Sequence, residues 1–392
     1  MNSTLNFSPW PYFADDEIEA AEKVLRSGKV NYWTGDEGCQ FEKEWSDYIG
    51  TPYAVAMSNG TVTLEAALYA LGVGVGDEVI VTPRSFIASS SAAVMRGAIP
   101  VFADVEANSQ NITAKTIEKV ITPKTKAIIL VHLAGFPCEM DEIMALAEKN
   151  KLFVIEDCAQ AHGAAYKNKK VGSIGHIGSF SFCQDKIMTL GGEGGMVTTH
   201  DKNLWEKMWS FKDHGKSYEA VYHREHPPGF RWLHEDFGTN FRLTEMQSAI
   251  GRCQLKKLDD WLKIRKRNAD ILTSYLKAFD CIRIPTIPDY IQHAHYKYYC
   301  FINLKKLKQG WSRDRIMQEI MAQGVPCFSG SCSELYLEKA FEKNNLCPKQ
   351  RLPIAQQLGE TSLMFLIHPT LTEEMMHAVG QIIQSVLQSA SR

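Results

Sequence analysis

The chain has 392 residues, 45% hydrophobic and 22% charged, and a formal net charge of −2. At roughly 150 residues per domain this suggests two to three domains with a sizeable core, and excludes global disorder. So balanced a charge leaves no global footprint for nucleic acid or an acidic membrane. The ten cysteines are scattered, with no paired C-x-x-C motifs at zinc-site spacing, and read as reduced thiols. No signal peptide and no bilayer-spanning run are expected, so a cytoplasmic location is.

Acidic residues Asp15, Asp16 and Glu17 open a helical pattern that runs to Arg26, and Gly28 follows its end, as the dipole and C-cap rules require. A turn-rich piece, Asn31–Gly35, precedes a second helical pattern near Cys39–Tyr48. Strand-like runs follow at Tyr53–Met57, Glu78–Val81, Val101–Ala103, Ala127–Val131, Leu152–Ile155, Ser179–Phe182 and Gly195–Thr199. Between most of them lie helix-like segments, at Thr61–Leu71, Ala88–Met95, Ala114–Val120 and Met140–Glu148. This alternation predicts an α/β domain with a mostly parallel sheet over about residues 20–250. Thr244 to about Phe279 reads as one long helical tract, and its basic cluster (Lys256, Lys257, Lys263, Arg265, Lys266, Arg267) as a solvated face. The remainder has a strand-like run at Tyr298–Leu304, helical patterns at Ser312–Ala322 and Thr372–Gln388, and a turn-rich stretch at Gly324–Ser333. The division expected is an N-terminal arm with the large domain over 1–250 and a smaller α+β domain over 251–392, with the long helix at the boundary.

Four short stretches carry chemistry. Ser58-Asn59-Gly60-Thr61 precedes a helix and offers backbone N–H groups, a hydroxyl and a positive dipole end, a seat for phosphate. Thr82-Pro83-Arg84-Ser85-Phe86 puts an aromatic after a strand, where it could lie on a cofactor ring. The run Leu152–Ile155 delivers Glu156 and Asp157 at a strand end, and a carboxylate there suits a buried cation. Ser181 and Lys186 follow the next strand, before the glycine-rich Gly191-Gly192-Glu193-Gly194-Gly195. A desolvated lysine in such a turn is an amine nucleophile able to form a Schiff base. Each stretch alone has a plainer reading: a helix cap, a core phenylalanine, a strand-end cap or a surface lysine. Their order fits one cofactor, pyridoxal 5′-phosphate (PLP), whose ring nitrogen needs an acidic partner. A dinucleotide fingerprint at a first strand–helix turn and a Walker loop are absent.

These residues resemble the DegT/DnrJ/StrS-type, PLP-dependent nucleotide-sugar aminotransferases. The resemblance also rests on Phe41-Glu42, Gly76-Asp77-Glu78-Val79-Ile80, Pro100–Asp104, His132-Leu133-Ala134-Gly135 and Glu156-Asp157-Cys158-Ala159-Gln160. Gly238-Thr239-Asn240-Phe241-Arg242 to Gln247 completes the set. It implies the aspartate-aminotransferase-like (type I) α/β fold, with a large mixed, mostly parallel sheet domain and a smaller α+β C-terminal domain. It implies that Lys186 bears the cofactor and later moves the proton between the donor Cα and the cofactor C4′. Asp157 would keep the pyridine nitrogen protonated, Gln160 lie by the phenolic oxygen, and Phe86 stack on the ring. Gly60, Thr61 and Ser181 would bind the phosphate. Asn240 would reach the phosphate of the neighbouring subunit's cofactor, which implies a homodimer with shared active sites. The implied activity is amine transfer from L-glutamate to a nucleotide-linked keto sugar, with a 4-keto-6-deoxy hexose placed ahead of a 3-keto one. The implied destination is lipopolysaccharide, O-antigen or another surface glycan. Family members that dehydrate sugars carry histidine in place of the lysine, so Lys186 favours transamination. Other PLP chemistry such as dehydration stays open, and so does a PLP-binding regulator without turnover, for which no DNA-reading extension is seen.

Two segments depart from the family pattern. Gly324–Glu334 replaces a His-containing segment, and Lys216–Glu235 is long and rich in His, Pro and aromatics. His223, His226 and His234 match no standard ligand set, so no metal is expected.

Overall fold

The computed structural model describes residues 7–392; residues 1–6, which begin the stretch read for a signal peptide, lie outside it. The apolar runs form strands whose side chains are mostly buried, with the exposed or half-buried positions chiefly at their N-terminal ends. β1 (Tyr53–Met57), β2 (Glu78–Val81), β3 (Ile99–Phe102), β4 (Thr125–Val131) and β5 (Phe153–Asp157) are followed by a short hairpin, β6 (Ala165–Tyr166) and β7 (Lys169–Lys170). β8 (Ile177–Ser181) and β9 (Gly195–Thr199) complete a seven-stranded sheet of order β1-β9-β8-β5-β4-β2-β3. The pairs β2–β3, β2–β4, β4–β5 and β5–β8 are parallel, while β9 runs antiparallel to both β8 and β1. The sheet is mixed and mostly parallel, and every strand except β9 points the same way. The C-terminal ends Met57, Val81, Val131, Asp157 and Ser181 therefore emerge on one edge, where α/β sheets bind ligands.

The C-terminal third adds β10 (Ile282–Arg283), β11 (Ile291–Gln292), β12 (Tyr298–Ile302), β13 (Cys327–Phe328) and β14 (Ser362–Phe365). Four of these form a second, antiparallel sheet of order β10-β12-β14-β13. β11 instead joins β6 of the hairpin. Tyr299 and Phe301 of β12 share a buried cluster with Ile128, Leu130 and Val154 of the large sheet, so the two parts meet through packed apolar surface. A core of Leu272, Leu276, Ile316, Ile320, Val379 and Ile383 closes the other face of the small sheet.

Two expectations need correction. The tract after Thr244 is two helices, Glu245–Leu255 and Leu258–Leu276. The break falls where Lys257 is tied to Asp16 and Glu17 of the first helix. The basic cluster is also not uniformly solvated. Arg265 is 1% exposed, donates from Nη1 to the Tyr296 carbonyl at 3.1 Å, and lies over the Trp10 ring at 5.2 Å.

All ten cysteines are free. No helix among the described residues is long and apolar enough to cross a membrane.

Candidate active site

A cleft of about 830 Å³ opens at the C-terminal edge of the large sheet, roofed by the small sheet. Gly60, Thr61, Phe86, Asp157, Gln160, Ser181 and Lys186 all line it. The parallel register explains part of this convergence. Val131 and Asp157 are partners at the ends of β4 and β5, and Asp157 pairs with Ser179 two residues before the end of β8.

Asp157 is 5% exposed. Ser89 donates to its Oδ2 at 2.7 Å, and the Ala159 N–H to its Oδ1 at 3.1 Å. Burial pushes its carboxyl above the usual Asp range, although these hydrogen bonds and the Lys186 charge oppose the shift. A buried carboxylate with no cation in contact suits an incoming cationic ring nitrogen. Lys186 sits in the turn after β8, with its side chain only 15% exposed and its Nζ 4.0 Å from Asp185 Oδ1. The Trp10 indole holds this turn by donating to the Lys186 carbonyl at 2.9 Å. Gln160 is buried, and its Oε1 accepts from the Ala134 N–H at 2.8 Å, which leaves its NH2 group for the cleft. Phe86 is 67% exposed, so the reading of it as a core residue fails.

The expected phosphate seat is built differently from the sequence reading. Asn59 caps the helix Gly60–Ala70, and its Oδ1 takes the N–H groups of Thr61 and Val62 at 3.0 and 3.1 Å. Asparagine is among the best N-cap residues, and here it engages two of the donors assigned to an anion. Thr61 and Ser181 line the same cleft. Gly60 is required by close approach: a Cβ there would sit 2.3 Å from Ser181 Cβ and 3.0 Å from its Cα. The buried acid, the amine and this cradle with its hydroxyls form a donor set that fits PLP. Asn240 stands apart, exposed on the surface, with its Oδ1 accepting from the Arg242 N–H at 3.4 Å.

The sequence reading missed Ser89, which gave no motif, and the cleft residues Tyr296, Lys297 and Tyr299, which come from the C-terminal third. A second cavity of about 600 Å³ shares Lys297 and Tyr299 as a wall but contains neither Lys186 nor Asp157. The histidines of the long segment do not converge. His226 Nε2 bonds the Ala220 carbonyl at 2.6 Å, His223 packs on Tyr218, and His234 is exposed. Among the described residues, His132, Glu156 and Cys158 bring possible metal-ligand atoms within 4.8 Å of one another. Glu156 is already engaged there, accepting from His132 Nε2 and from the N–H groups of Gly172, Ile174 and Gly175. That set reads as a structural anchor behind Asp157.

The model of the DegT/DnrJ/EryC1/StrS aminotransferase family matches residues 11–384. The chain belongs to this family. It is accordingly an enzyme of the aminotransferase class, with the α/β architecture of that family. An aminotransferase from Psychrobacter cryohalolentis has a solved structure 57% identical to the chain, with a TM-score of 0.96 over 98% of this chain and 99% of that one. A UDP-N-acetyl-3-dehydro-alpha-D-glucosamine 3-aminotransferase from Acidithiobacillus ferrooxidans is 36% identical over 95% of this chain and 94% of its own. A GDP-perosamine synthase from Escherichia coli O157:H7 is 34% identical over 91% and 90%.

Proposed function

We propose that this DegT/DnrJ/EryC1/StrS aminotransferase uses PLP to move the amino group of an amino acid, L-glutamate, onto a keto sugar linked to a nucleotide. The observation that carries this reading is the convergence of Lys186 and Asp157 on one cleft with the Gly60–Ser181 cradle. Bound there, PLP supplies an electron-accepting ring that stabilises negative charge developing at the donor Cα. Asp157, held by Ser89 and the Ala159 N–H, would keep the proton on the ring nitrogen. Lys186 would anchor the cofactor through its amine and, once free, would serve as the base that takes and holds the donor Cα proton. The Gln160 NH2 group would donate to the phenolic oxygen, and Phe86 would cover the ring. Thr61, Ser181 and the backbone at Gly60 would hold the phosphate. Asn240 acts on the phosphate in the other subunit of a homodimer, a role consistent with its surface position away from its own cleft.

The acceptor is a sugar nucleotide, as the names of the relatives support. A 4-keto-6-deoxy hexose is the first candidate. A 3-keto sugar is the second, favoured by the relative named as a 3-aminotransferase. The product would serve surface-polysaccharide assembly, including lipopolysaccharide O-antigen, from the cytoplasm. The test is turnover of the PLP-loaded protein with L-glutamate and a panel of nucleotide-linked 3-keto and 4-keto hexoses, read by mass spectrometry. The proposal expects an amine in place of one carbonyl oxygen and an equal amount of 2-oxoglutarate. Failure with every keto sugar, alongside turnover of a keto acid, would overturn the sugar assignment.

A further inference from the structure

The cleft carries a second lysine with no role so far. Lys297 is 14% exposed along its side chain, yet its Nζ is 3.7 Å from Asp185 Oδ2, too far for a hydrogen bond. The same Asp185 is 4.0 Å from Lys186 Nζ and accepts the Tyr296 hydroxyl. One half-exposed carboxylate thus faces two ammonium groups. Behind them lies Arg265, buried, with no acid in contact and with Nε and Nη2 unpartnered. Positive charge exceeds negative on this wall of the cleft. A long cationic side chain held in such a place without a full partner suits an anionic ligand.

Two anions enter the proposed reaction, the donor's α-carboxylate and the acceptor's diphosphate. The α-carboxylate is bonded to the carbon that carries the reacting amine. It must lie close to the group that handles that amine, and Lys186 and Lys297 share one acid and both flank the Tyr296 ring, at 5.4 and 4.7 Å. A diphosphate is separated from a keto carbon by the width of the sugar ring. We infer that Lys297 is the binding residue for the α-carboxylate of the amino-acid donor, with Arg265 as the fixed charge behind it. This inference rests on the aminotransfer reading above.

The test compares Lys297→Met and Lys297→Arg holoenzymes in separate half-reactions followed by absorbance. Loss of one charge-assisted contact should weaken donor binding by about 30-fold for Met, while Arg keeps it within about fivefold. The half-reaction with the sugar nucleotide should be unchanged in both. Glutarate, which has carboxylates but no amine, should bind wild-type holoenzyme in calorimetry and lose affinity in Lys297→Met. Lys297→Gln is the second variant should Met prevent folding, and the same donor defect is expected. Weaker acceptor binding with normal donor binding would overturn the inference and assign Lys297 to the diphosphate. Unchanged kinetics in both half-reactions would also overturn it. Absence of any covalent PLP absorbance in the wild type would instead sink the aminotransfer reading itself.

Discussion

Gly60→Ala tests the geometry of the phosphate seat. The added Cβ would lie 2.3 Å from Ser181 Cβ, 2.9 Å from its Oγ and 3.0 Å from its Cα. Ordinary carbon contacts begin near about 3.5 Å, so the helix start and the end of β8 must separate by roughly 1 Å. Cβ and Cα belong to a buried strand end, so the strain cannot be relieved by rotating a side chain. Overpacking of this kind costs ~1–3 kcal/mol. With an unfolding entropy of ~2 cal/mol/K per residue, the whole chain of 392 residues gives ~0.8 kcal/mol/K, and Tm should fall by about 1–4 °C in the apoprotein. The functional effect should be larger, because hydroxyls displaced by ~1 Å no longer meet a phosphate at hydrogen-bond length; PLP affinity should drop by at least about tenfold. Calorimetry of apoprotein and a fluorescence titration with PLP measure the two effects separately. The double variant Gly60→Ala, Ser181→Gly removes the clashing Cβ and should recover part of the stability but not the affinity, since the Ser181 hydroxyl is gone. Unchanged Tm and unchanged PLP affinity in Gly60→Ala would refute the cradle.

Asp157→Asn should separate stability from function. Because burial raises its folded value, ionised Asp157 costs the apoprotein stability; the cost is absent below about pH 3.8 and grows as pH rises to the raised value. The Asn variant should therefore be at least as stable as wild type in the apo form at pH 7, while its amino-acid half-reaction slows by about 100-fold or more, read by thermal melts and single-turnover absorbance. Glu156 has the opposite sign. Burial pushes it up, but His132 and the backbone N–H groups of Gly172 and Gly175 outweigh that and hold it below its ordinary value of 4.5. Its stabilisation is present above about pH 4.5 and is lost as pH falls through the lowered value. Glu156→Gln turns an NH2 group toward at least one pair of donors whichever way it faces, and should lose about 2–4 kcal/mol in denaturant melts and flatten that acid limb. Lys297 is lowered by burial to about 8, the Asp185 charge opposing and the Arg265 and Lys186 charges reinforcing the shift. Donor affinity should fall as pH rises through about 8 in the wild type and stay level in Lys297→Arg, measured as the apparent Kd for L-glutamate.

The strands of the large sheet were legible because each is an apolar run bounded by turn residues, and all seven have their predicted and observed ends within two residues. The chemistry at their ends followed from that alternation, since parallel strands bring Asp157, Ser181 and Lys186 to one edge. The two-residue strands β6, β7 and β11 were not legible, because runs so short carry no periodicity and β11 exists only through pairing with β6 more than a hundred residues away. The helix break at Lys256–Lys257 has no glycine or proline to announce it, and Lys257 there pairs with acids more than two hundred positions away. Arg265 could have been found. It falls on the stripe Leu258, Leu262, Arg265, Ala269, Leu272 and Leu276, which is the buried face of its helix, and an arginine on such a stripe marks a buried charge. Tyr296 and Lys297 were hidden because they lie in the irregular segment just before β12, where neither periodicity nor a motif marks them. At Ser58–Thr61 the sequence offered both a helix cap and a phosphate seat, and the structure shows the cap, with the Asn59 side chain on two of the N–H groups.

The central claim is that Lys186 carries PLP and that the loaded protein accepts an amine. The direct measurement is an absorbance spectrum of purified protein with PLP, before and after L-glutamate, for wild type and Lys186→Ala. The account predicts a band from PLP bonded to lysine in the wild type, its replacement by the spectrum of the aminated cofactor on adding glutamate, and neither the lysine band nor turnover in Lys186→Ala. A wild type without the lysine band, or a Lys186→Ala variant with near-normal turnover, would contradict it.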